Sequence, residues 1–491
     1  MLYSLTKKLE RDMAQAASYE EWQDAARAHD QESGANEWKK SEESPHFDHV
    51  SIGRRLRRLR RLRYKGNYAG ILSELNQGVH GNIDGVGHAR LYSQAKFGTK
   101  QLVSDYIDEV ATALQLLASD KADDIPFDDR LDFFRRAQHC NGCSALMMSG
   151  AGSLAYFHVG VVKALWQEQL LPTILSGSSG GAHIASVVST NADDELRRLF
   201  EPENMVHEAE PEPDSFGFLS AFLPKLMTRD EVRALLERVV PDLTFLEAYE
   251  LTGRHLNISI AAAEKHQTSR LLNAITTPDV YIREAVMASS AVPGFFPPVS
   301  LSFKDIDGDR QPYLRSRKWV DGSVSDDLPA KRLARVYGVN HFIVSQVNPH
   351  VVPFVIDGKR EANLLMPLRR AYRASARAWI NAVATTLDGP LSLVPAVQRI
   401  SNVALGVINQ DYVGDINILP ERLLSNPLKW LAHRTVEEIT DLVQMGERAT
   451  WPKIEQIRLQ TKVSRTLDGI LREFERGKRL PLDNTITRRA G

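Results

Sequence analysis

Two cysteines, Cys140 and Cys143, are all the chain carries in 491 residues, which excludes a disulfide framework and fits a reducing compartment. No stretch approaches the roughly 18 consecutive apolar residues that a membrane-spanning helix needs. The first residues, MLYSLTKKLERDM, lack the apolar core of about 7–15 residues found in a secretory signal. Together these absences predict a cytoplasmic protein, at most peripheral to a membrane. An excess of one charge is missing too: 61 basic against 62 acidic residues leave a net charge of -1. Any attraction to nucleic acid or anionic lipid therefore has to come from a local patch. With 30 glycines and 23 prolines and no internal repeat, collagen-like and low-complexity chains are excluded. What is present is a globular composition, 43% hydrophobic and 25% charged, in a chain long enough for roughly two to four folding units.

The two cysteines form a C-x-x-C, so a redox pair and half of a zinc site both have to be weighed. A thioredoxin-type motif opens a helix, whereas Cys143 runs into the apolar stretch Ala145-Leu146-Met147-Met148, which reads as a strand. Zinc needs two further ligands, and no second C-x-x-C or H-x-x-x-H occurs. The expectation is two small buried thiols at a strand entrance, with no metal and no cofactor.

Along the chain, three textures follow one another. Residues 1 to 140 read as a helical accessory region, with a capping-box start at Ser18-Tyr19-Glu20-Glu21 and a stop at Gly34. One helix there carries Arg54, Arg55, Arg57, Arg58, Arg60, Arg61 and Arg63 around a stripe of Leu56, Leu59 and Leu62. Residues 141 to 355 alternate short apolar runs (145–148, 174–175, 256–261, 342–347) with helical patterns (152–170, 181–190, 282–288), which predicts an α/β layer on a mostly parallel sheet. Residues 356 to 491 return to helical periodicity, as at 435–445 and 451–474.

Chemistry enters at Gly177-Ser178-Ser179-Gly180-Gly181, a G-x-S-x-G between a strand-like run and a helix-compatible segment. A sharp turn there strains the backbone of the nucleophile and demands small neighbours, which Gly177 and Gly181 supply. At the N-terminus of a helix, Ser179 also sits where free N–H groups stabilise a developing oxyanion. The bland alternative is a flexible Gly/Ser loop.

A second glycine loop, Gly150-Ala151-Gly152, follows the preceding strand. Read with Ala155 it is formally G-x-G-x-x-A, the dinucleotide-binding fingerprint. That reading, an oxidoreductase, requires an acidic residue about 20 positions on, at the end of the next strand. Glu168 has the approximate spacing but falls in a helical segment, and the next strand runs into the serine turn instead. The same small residues let backbone N–H groups converge on a carbonyl oxygen, an oxyanion hole built from Gly150, Ala151 and Gly152.

Further on, Trp319-Val320-Asp321-Gly322-Ser323 ends a short apolar run on a carboxylate and a turn glycine. With the two loops it resembles the patatin-like phospholipase family. Ser149-Gly150-Ala151-Gly152 followed by His158-Val159-Gly160-Val161 keeps that family's spacing from glycine loop to H-x-G-V segment. Ala288-Ser289-Ser290-Ala291-Val292-Pro293-Gly294-Phe295-Phe296-Pro297-Pro298 matches its A-S-x-A-x-P-x-x-F-x-P block. The N-terminal text around His88-Ala89-Arg90-Leu91-Tyr92 and Gly98-Thr99-Lys100, with Gln346 to His350 and Gln410 to Asp415, resembles the family's triacylglycerol lipase branch. The resemblance implies a three-layer α/β core and a lipid acyl hydrolase working through a Ser179–Asp321 dyad. Ala151, Leu154 and Ala155 depart from the commoner pattern of Gly, Arg or Lys, and Gly. The basic side chain missing at Leu154 removes one reason to specify a phosphate.

Three readings compete with a dyad hydrolase: transfer of the acyl group to a lipid alcohol, the oxidoreductase above, and a full triad in the chain order Ser179, Asp321, His350. His183 is expected to pack in the helix after the elbow. Asp305-Ile306-Asp307-Gly308-Asp309 resembles the start of a calcium loop, but its twelfth position is Ser316 rather than Glu, so an exposed turn is expected. The seven-arginine helix offers a surface to anionic membrane or a lipid droplet, or it pairs with acidic helices of its own chain. No nucleic-acid partner is expected.

Overall fold

The computed structural model describes residues 2–79, 81–201, 228–264, 268–293, 296–347, 414–420 and 434–478. The first elements are helical: α1 (Leu2–Gln15), α2 (Tyr19–Glu32), α3 (Ala35–Lys40), α4 (His49–Tyr64), α5 (Tyr68–Asn76), α6 (Gln101–Ala118) and α7 (Phe127–Asn141). Their boundaries are set by local chemistry. Asp48 caps α4 by accepting from Ser51 N–H at 2.9 Å, and Asn67 caps α5 by accepting from Gly70 N–H at 2.7 Å. Apolar residues three and four apart line one face of α6, where Leu102, Tyr106, Val110, Ala113, Leu114 and Leu117 are all buried.

From Cys143 onward strands and helices alternate: β1 (Cys143–Met148), a 3-10 turn at Gly152–Ala155, α8 (Tyr156–Gln167), β2 (Ile174–Gly177), α9 (Gly180–Thr190), β3 (His255–Ala262), β4 (Arg270–Asn273), α10 (Ile282–Ser289), β5 (Leu301–Lys304), β6 (Arg310–Tyr313), β7 (Trp319–Asp321), β8 (Val339–Ser345) and β9 (Ile416–Ile418). Two more helices follow, α11 (Val436–Thr450) and α12 (Ile454–Lys478). The main sheet runs in the order β4-β3-β2-β1-β8-β9, with β7 added on β3. Pairs β1–β2, β2–β3 and β8–β9 are parallel, while β4 and β7 are antiparallel to β3. Central strands of such a sheet are covered on both faces, which is why Ala145 to Met148 and Ile174 to Gly177 are continuously buried rather than alternating. The mostly parallel α/β core expected for 141–355 is present.

Register decides where the chemistry sits. Gly177, at the end of β2, pairs with Ile258 on β3. Two residues further along β3, Ile260 pairs with Arg270 of β4 and also with Asp321 of β7. A strand has two edges, so β7 lies on the edge of β3 opposite β4. That is the edge β2 vacates when it turns into the elbow.

The chain divides into two compact units, each described by itself. One contains residues 1–11, 24–143 and 455–491 and holds a core of Ile52, Leu59, Ile71, Leu91, Leu114, Leu117, Phe133 and Phe134 together with Leu459 and Leu467. The other contains residues 12–23 and 144–454. This division differs from three consecutive regions: the expected helical region 356–491 is not a unit of its own. Its last helix contributes Leu459, Leu467, Ile470 and Leu471 to the core of the first unit, whereas α11 packs on α8 in the second. The packing on α8 is close. A Cβ on Gly160 would lie 1.9 Å from the Val443 carbonyl oxygen, and one on Gly446 would lie 2.1 Å from that of Phe157. Two glycines let the backbones touch, which gives Gly160 of the H-x-G-V segment a physical reason.

Candidate active site

Ser179 stands between β2 and α9 with φ 50° and ψ -122°. For a residue with a Cβ that is a strained conformation, persisting only where neighbours enforce it. They do so at several points. A Cβ on Gly177 would lie 2.3 Å from the Gly181 carbonyl oxygen, and one on Gly181 would lie 2.4 Å from that of Met148. Both elbow glycines are therefore steric requirements. Ser179 N–H donates to Ser289 Oγ at 3.0 Å, and Ser289 Oγ donates to the Ser259 carbonyl at 2.8 Å, tying the elbow through α10 to β3. Ser289 belongs to the 288–298 block. Gly294 and Phe295 of that block lie outside the described residues.

Asp321 is almost fully buried at 1% exposure. Ser323 N–H donates to its Oδ1 at 2.8 Å, and the Ser179 side chain lies near enough to the carboxylate to favour its charged form. Loss of solvent is the dominant influence and pushes its pKa up to about 6, against the smaller opposing pull of Ser323 and Ser179. Gly322 has to be glycine, since a Cβ there would lie 2.1 Å from the Ser259 carbonyl oxygen.

The glycine loop lies beside the elbow. A Cβ on Gly180 would be 3.1 Å from Gly152 N and from Ala155 Cβ. Gly152 has φ 53°, and Ala151 before it has φ -142° and ψ -20°. Gly150 differs from expectation. Its N–H donates to Asp327 Oδ1 at 2.7 Å, so it anchors the loop and is not turned toward a substrate oxygen. Among the described residues no hydrogen-bond acceptor takes the Ala151 or Gly152 N–H. The loop is further fixed through Ser149, whose N–H donates to the Ser345 carbonyl and whose carbonyl meets His158 Nε2 at 3.0 Å. His158 is fully buried, and burial drives its pKa down to about 4, so at neutral pH it is an uncharged prop for that carbonyl.

A family model described as patatin-like phospholipase matches residues 146–334, and one described as a domain of unknown function, DUF3336, matches residues 3–139. A patatin-like phospholipase domain-containing protein of Aspergillus niger is 32% identical over 98% of this chain and 68% of its own length. The chain belongs to the patatin-like phospholipase family. Similar proteins of Pyricularia oryzae and Yarrowia lipolytica are 32% and 34% identical over 95% and 91% of this chain. The chain spans 63% and 56% of the length of those two relatives.

In this patatin-like chain the remaining sequence candidates fall as follows. His350 lies outside the described residues. His183 packs against the elbow, its Nδ1 3.2 Å from the Ser179 carbonyl oxygen and 3.4 Å from Ser290 Oγ. Leu154 is buried at 3% exposure. Beside it, Arg434 donates from Nε to Ser153 Oγ at 3.0 Å and lies 3.7 Å from Glu438. The next strand after the glycine loop ends in the elbow, with no carboxylate in the ribose-binding position of a dinucleotide fold. Asp305 to Asp309 form the turn of the β5–β6 hairpin, where Asp305 Oδ1 accepts from Asp307 and Asp309 N–H. Cys140 is exposed on α7, correcting the expectation of two buried thiols. Cys143 is half-buried, with burial foremost and the charge of Asp468 next raising its thiol to about 11. Among the described residues no cluster of three or more His, Cys, Asp or Glu is placed to hold a metal, and no helix is long and apolar enough to cross a membrane.

The seven arginines of α4 separate into two sets. Arg55 faces Glu74 and Asp84, Arg58 meets Glu74 at 2.8 Å, Arg60 meets Asp105 at 3.0 Å, and Arg63 grips Glu109 through two hydrogen bonds of 2.6 and 2.9 Å. Glu74 and Glu109 are themselves buried, at 6% and 5% exposure. These four arginines therefore neutralise buried carboxylates of their own chain. Arg54, Arg57 and Arg61 are exposed and make no ion pair among the described residues. Helical periodicity places them on one outward face with Lys65, Val50 and the 92%-exposed Tyr64. The sequence did not single out Ser289, Ser178, Asp327 or Arg434, because each acts by a contact with a residue more than a hundred positions away.

Proposed function

We propose that this protein hydrolyses carboxylic esters of lipids through an acyl-enzyme on Ser179, with Asp321 as the base. One observation carries the reading: a strained serine at a strand-to-helix elbow stands at the same level of β3 as a buried aspartate whose pKa burial pushes up to about 6. Serine is a weak nucleophile until a base takes its proton. A base with a pKa near 6 is mostly ionised at neutral pH and still accepts a proton readily. As Ser179 Oγ attacks the ester carbon, its proton passes to Asp321, and the carbonyl oxygen becomes an oxyanion facing the Ala151 and Gly152 N–H groups. Collapse breaks the bond to the alcohol, which leaves with the proton from Asp321. Water then attacks the acyl-enzyme and gives its proton to Asp321. The second collapse releases the fatty acid and returns the proton to Ser179.

Among lipid esters, the buried side chain of Leu154 brings no cation to a phosphate, and Glu438 offsets the nearby Arg434. Both features favour a neutral ester such as triacylglycerol over a phospholipid. Contact with the lipid surface is assigned to the outward face of α4 that carries Arg54, Arg57 and Arg61. The test is a hydrolysis panel of triacylglycerol, phosphatidylcholine and lysophosphatidylcholine with wild type, Ser179→Ala and Asp321→Asn. Fatty acid released from triacylglycerol by wild type and by neither variant is the expected result. Hydrolysis at the wild-type rate by both variants rejects the reading. An acylated lipid alcohol in place of free fatty acid assigns acyl transfer instead.

A further inference from the structure

Asp327 follows Asp321 by six residues, yet it touches neither the turn Gly322-Ser323 alone nor solvent: it is 1% exposed and reaches both loops of the site. Its Oδ1 accepts from Gly150 N–H at 2.7 Å, and its main-chain carbonyl accepts from Ser178 Oγ at 3.0 Å. Ser178 immediately precedes the proposed nucleophile, and Gly150 immediately precedes the two amides, Ala151 and Gly152, that have no acceptor among the described residues. One residue thus holds the element that attacks and the element that receives the oxyanion. The fit on this side is tight, since a Cβ on Gly150 would lie 3.1 Å from Ser323 Cβ and 3.5 Å from Asp327 Oδ1. Ser178 N–H also donates to the Met148 carbonyl at 3.3 Å, so the two loops meet again at the end of β1.

We propose that Asp327 is the positioning residue that keeps the glycine loop in register with the nucleophile elbow. The inference rests on the reading of Ser179 as nucleophile. Its physical basis is the narrow tolerance of oxyanion stabilisation: donors act only at about 2.7–3.1 Å from where the negative oxygen forms. A loop of small residues has little packing of its own to hold that distance. A buried acceptor on Gly150 N–H supplies the missing constraint. The role needs an acceptor at Oδ1 and no charge there. Burial, with the neighbouring charge of Asp321 adding to it, pushes the Asp327 carboxyl up to about 7 while the Gly150 N–H pulls the other way. A neutral carboxyl with its proton on Oδ2 still accepts from Gly150 N–H at Oδ1, though less strongly than a carboxylate does.

The amide oxygen of asparagine offers the same acceptor, which makes the inference testable. Asp327→Asn, Asp327→Ala and Ser178→Ala are compared with wild type and Ser179→Ala for kcat and KM on a soluble short-chain ester, with thermal melts on each. Asp327→Ala is expected to lose kcat about 10- to 100-fold with KM within about 3-fold, the signature of an interaction felt in the transition state. Asp327→Asn is expected to restore kcat to within about 5-fold of wild type. Ser178→Ala keeps both main chains in place and remains informative if Asp327→Ala does not fold; a several-fold loss of kcat at constant KM is expected. Wild-type kcat in Asp327→Ala or in Ser178→Ala overturns the proposal, as does an Asp327→Asn enzyme no better than Asp327→Ala. If Ser179→Ala itself turns over, it is the nucleophile reading that has failed. If Ser179→Ala is inactive while Asp327→Ala matches wild type, only the positioning role has failed.

Discussion

Asp321 pairs with Ile260 on β3, two residues beyond the Ile258 that pairs with Gly177. Ser179 is two residues beyond Gly177, so the proposed nucleophile and the carboxylate arrive at the same level of β3, one from each direction along one edge. The sheet fixes their meeting, and loop closure does not. Removing either partner should therefore abolish turnover without disturbing the frame. Ser179→Ala and Asp321→Asn are each expected to lower kcat about 1,000-fold or more, with unchanged far-UV circular dichroism. Residual activity above a tenth of wild type in Asp321→Asn would mean that another group takes the proton.

The pH profile follows from burial of the same carboxylate. Asp321 accepts a proton only when ionised, and its pKa is raised to about 6. The value of kcat/KM should fall as pH drops through about 6 and reach a plateau above it, because this ratio reports the free enzyme. A limb near 4, the ordinary carboxylate range, would show that the site is wetter than the structure has it.

Stability should move the opposite way. A carboxyl whose folded pKa lies above its unfolded value stabilises the fold below the unfolded pKa, and that contribution is lost as pH rises through the folded one. For Asp321 the window runs from about 4 to about 6. At ~1.4 kcal/mol per pH unit the ionised form costs the fold about 3 kcal/mol above that window. Asp321→Asn should then melt several degrees higher than wild type at pH 8 and near wild type at pH 4. Equal melting temperatures at both values would contradict burial of a charge at this position.

How much of this was legible in the sequence depends on the range of the interaction. The elbow at Ser179, the strands on either side of it and the helix boundaries are written in local pattern: apolar runs, glycines and caps within a few residues. Asp321 was recognisable only as part of a set. What brings it to the elbow, the pairing of β7 on the edge vacated by β2, spans more than 60 residues on β3's side and over 140 on β2's. Gly150 was misread for the same reason, because the acceptor that occupies its N–H is Asp327, 177 residues on. The arginine helix shows the limit from the other direction. Its seven cations fit a lipid surface or acidic helices of the same chain equally well in sequence, until Glu74 and Glu109 fold beneath four of them.

The remaining three cations lead to a membrane prediction. Arg54, Arg57 and Arg61 with Lys65 run for about 16 Å along the outward face of α4 at 1.5 Å per residue, and Tyr64 beside them has the amphipathic ring favoured at lipid interfaces. Each basic residue near an anionic surface contributes ~1 kcal/mol. The variant Arg54→Gln/Arg57→Gln/Arg61→Gln should thus bind phosphatidylserine-containing vesicles about 100-fold more weakly than wild type in co-sedimentation. Its turnover of a soluble ester should be unchanged. Binding that resists both the substitutions and 0.5 M salt would rule this face out, and a preference for an RNA oligonucleotide over vesicles would reassign it.

Two helical glycines should respond to the same substitution in opposite directions. Gly160 on α8 lies against α11, and an alanine Cβ there would fall 1.9 Å from the Val443 carbonyl oxygen and 2.8 Å from Glu447 N. Both neighbours are backbone atoms, so they cannot swing aside and the helices have to separate. Forced overpacking of this kind typically costs about 1–3 kcal/mol, and α8 carries the glycine loop at its start, so Gly160→Ala should lower both the melting temperature and kcat. Gly469 on α12 has nothing within 4 Å of where its Cβ would stand. There alanine only removes conformational freedom from the unfolded chain and improves helix propensity, a gain of about 0.5–1 kcal/mol. Paired melts of Gly160→Ala and Gly469→Ala read the contrast directly. If Gly160→Ala melts at or above wild type, the α8–α11 crossing is looser than backbone contact, and the constraint it places on the glycine loop goes with it.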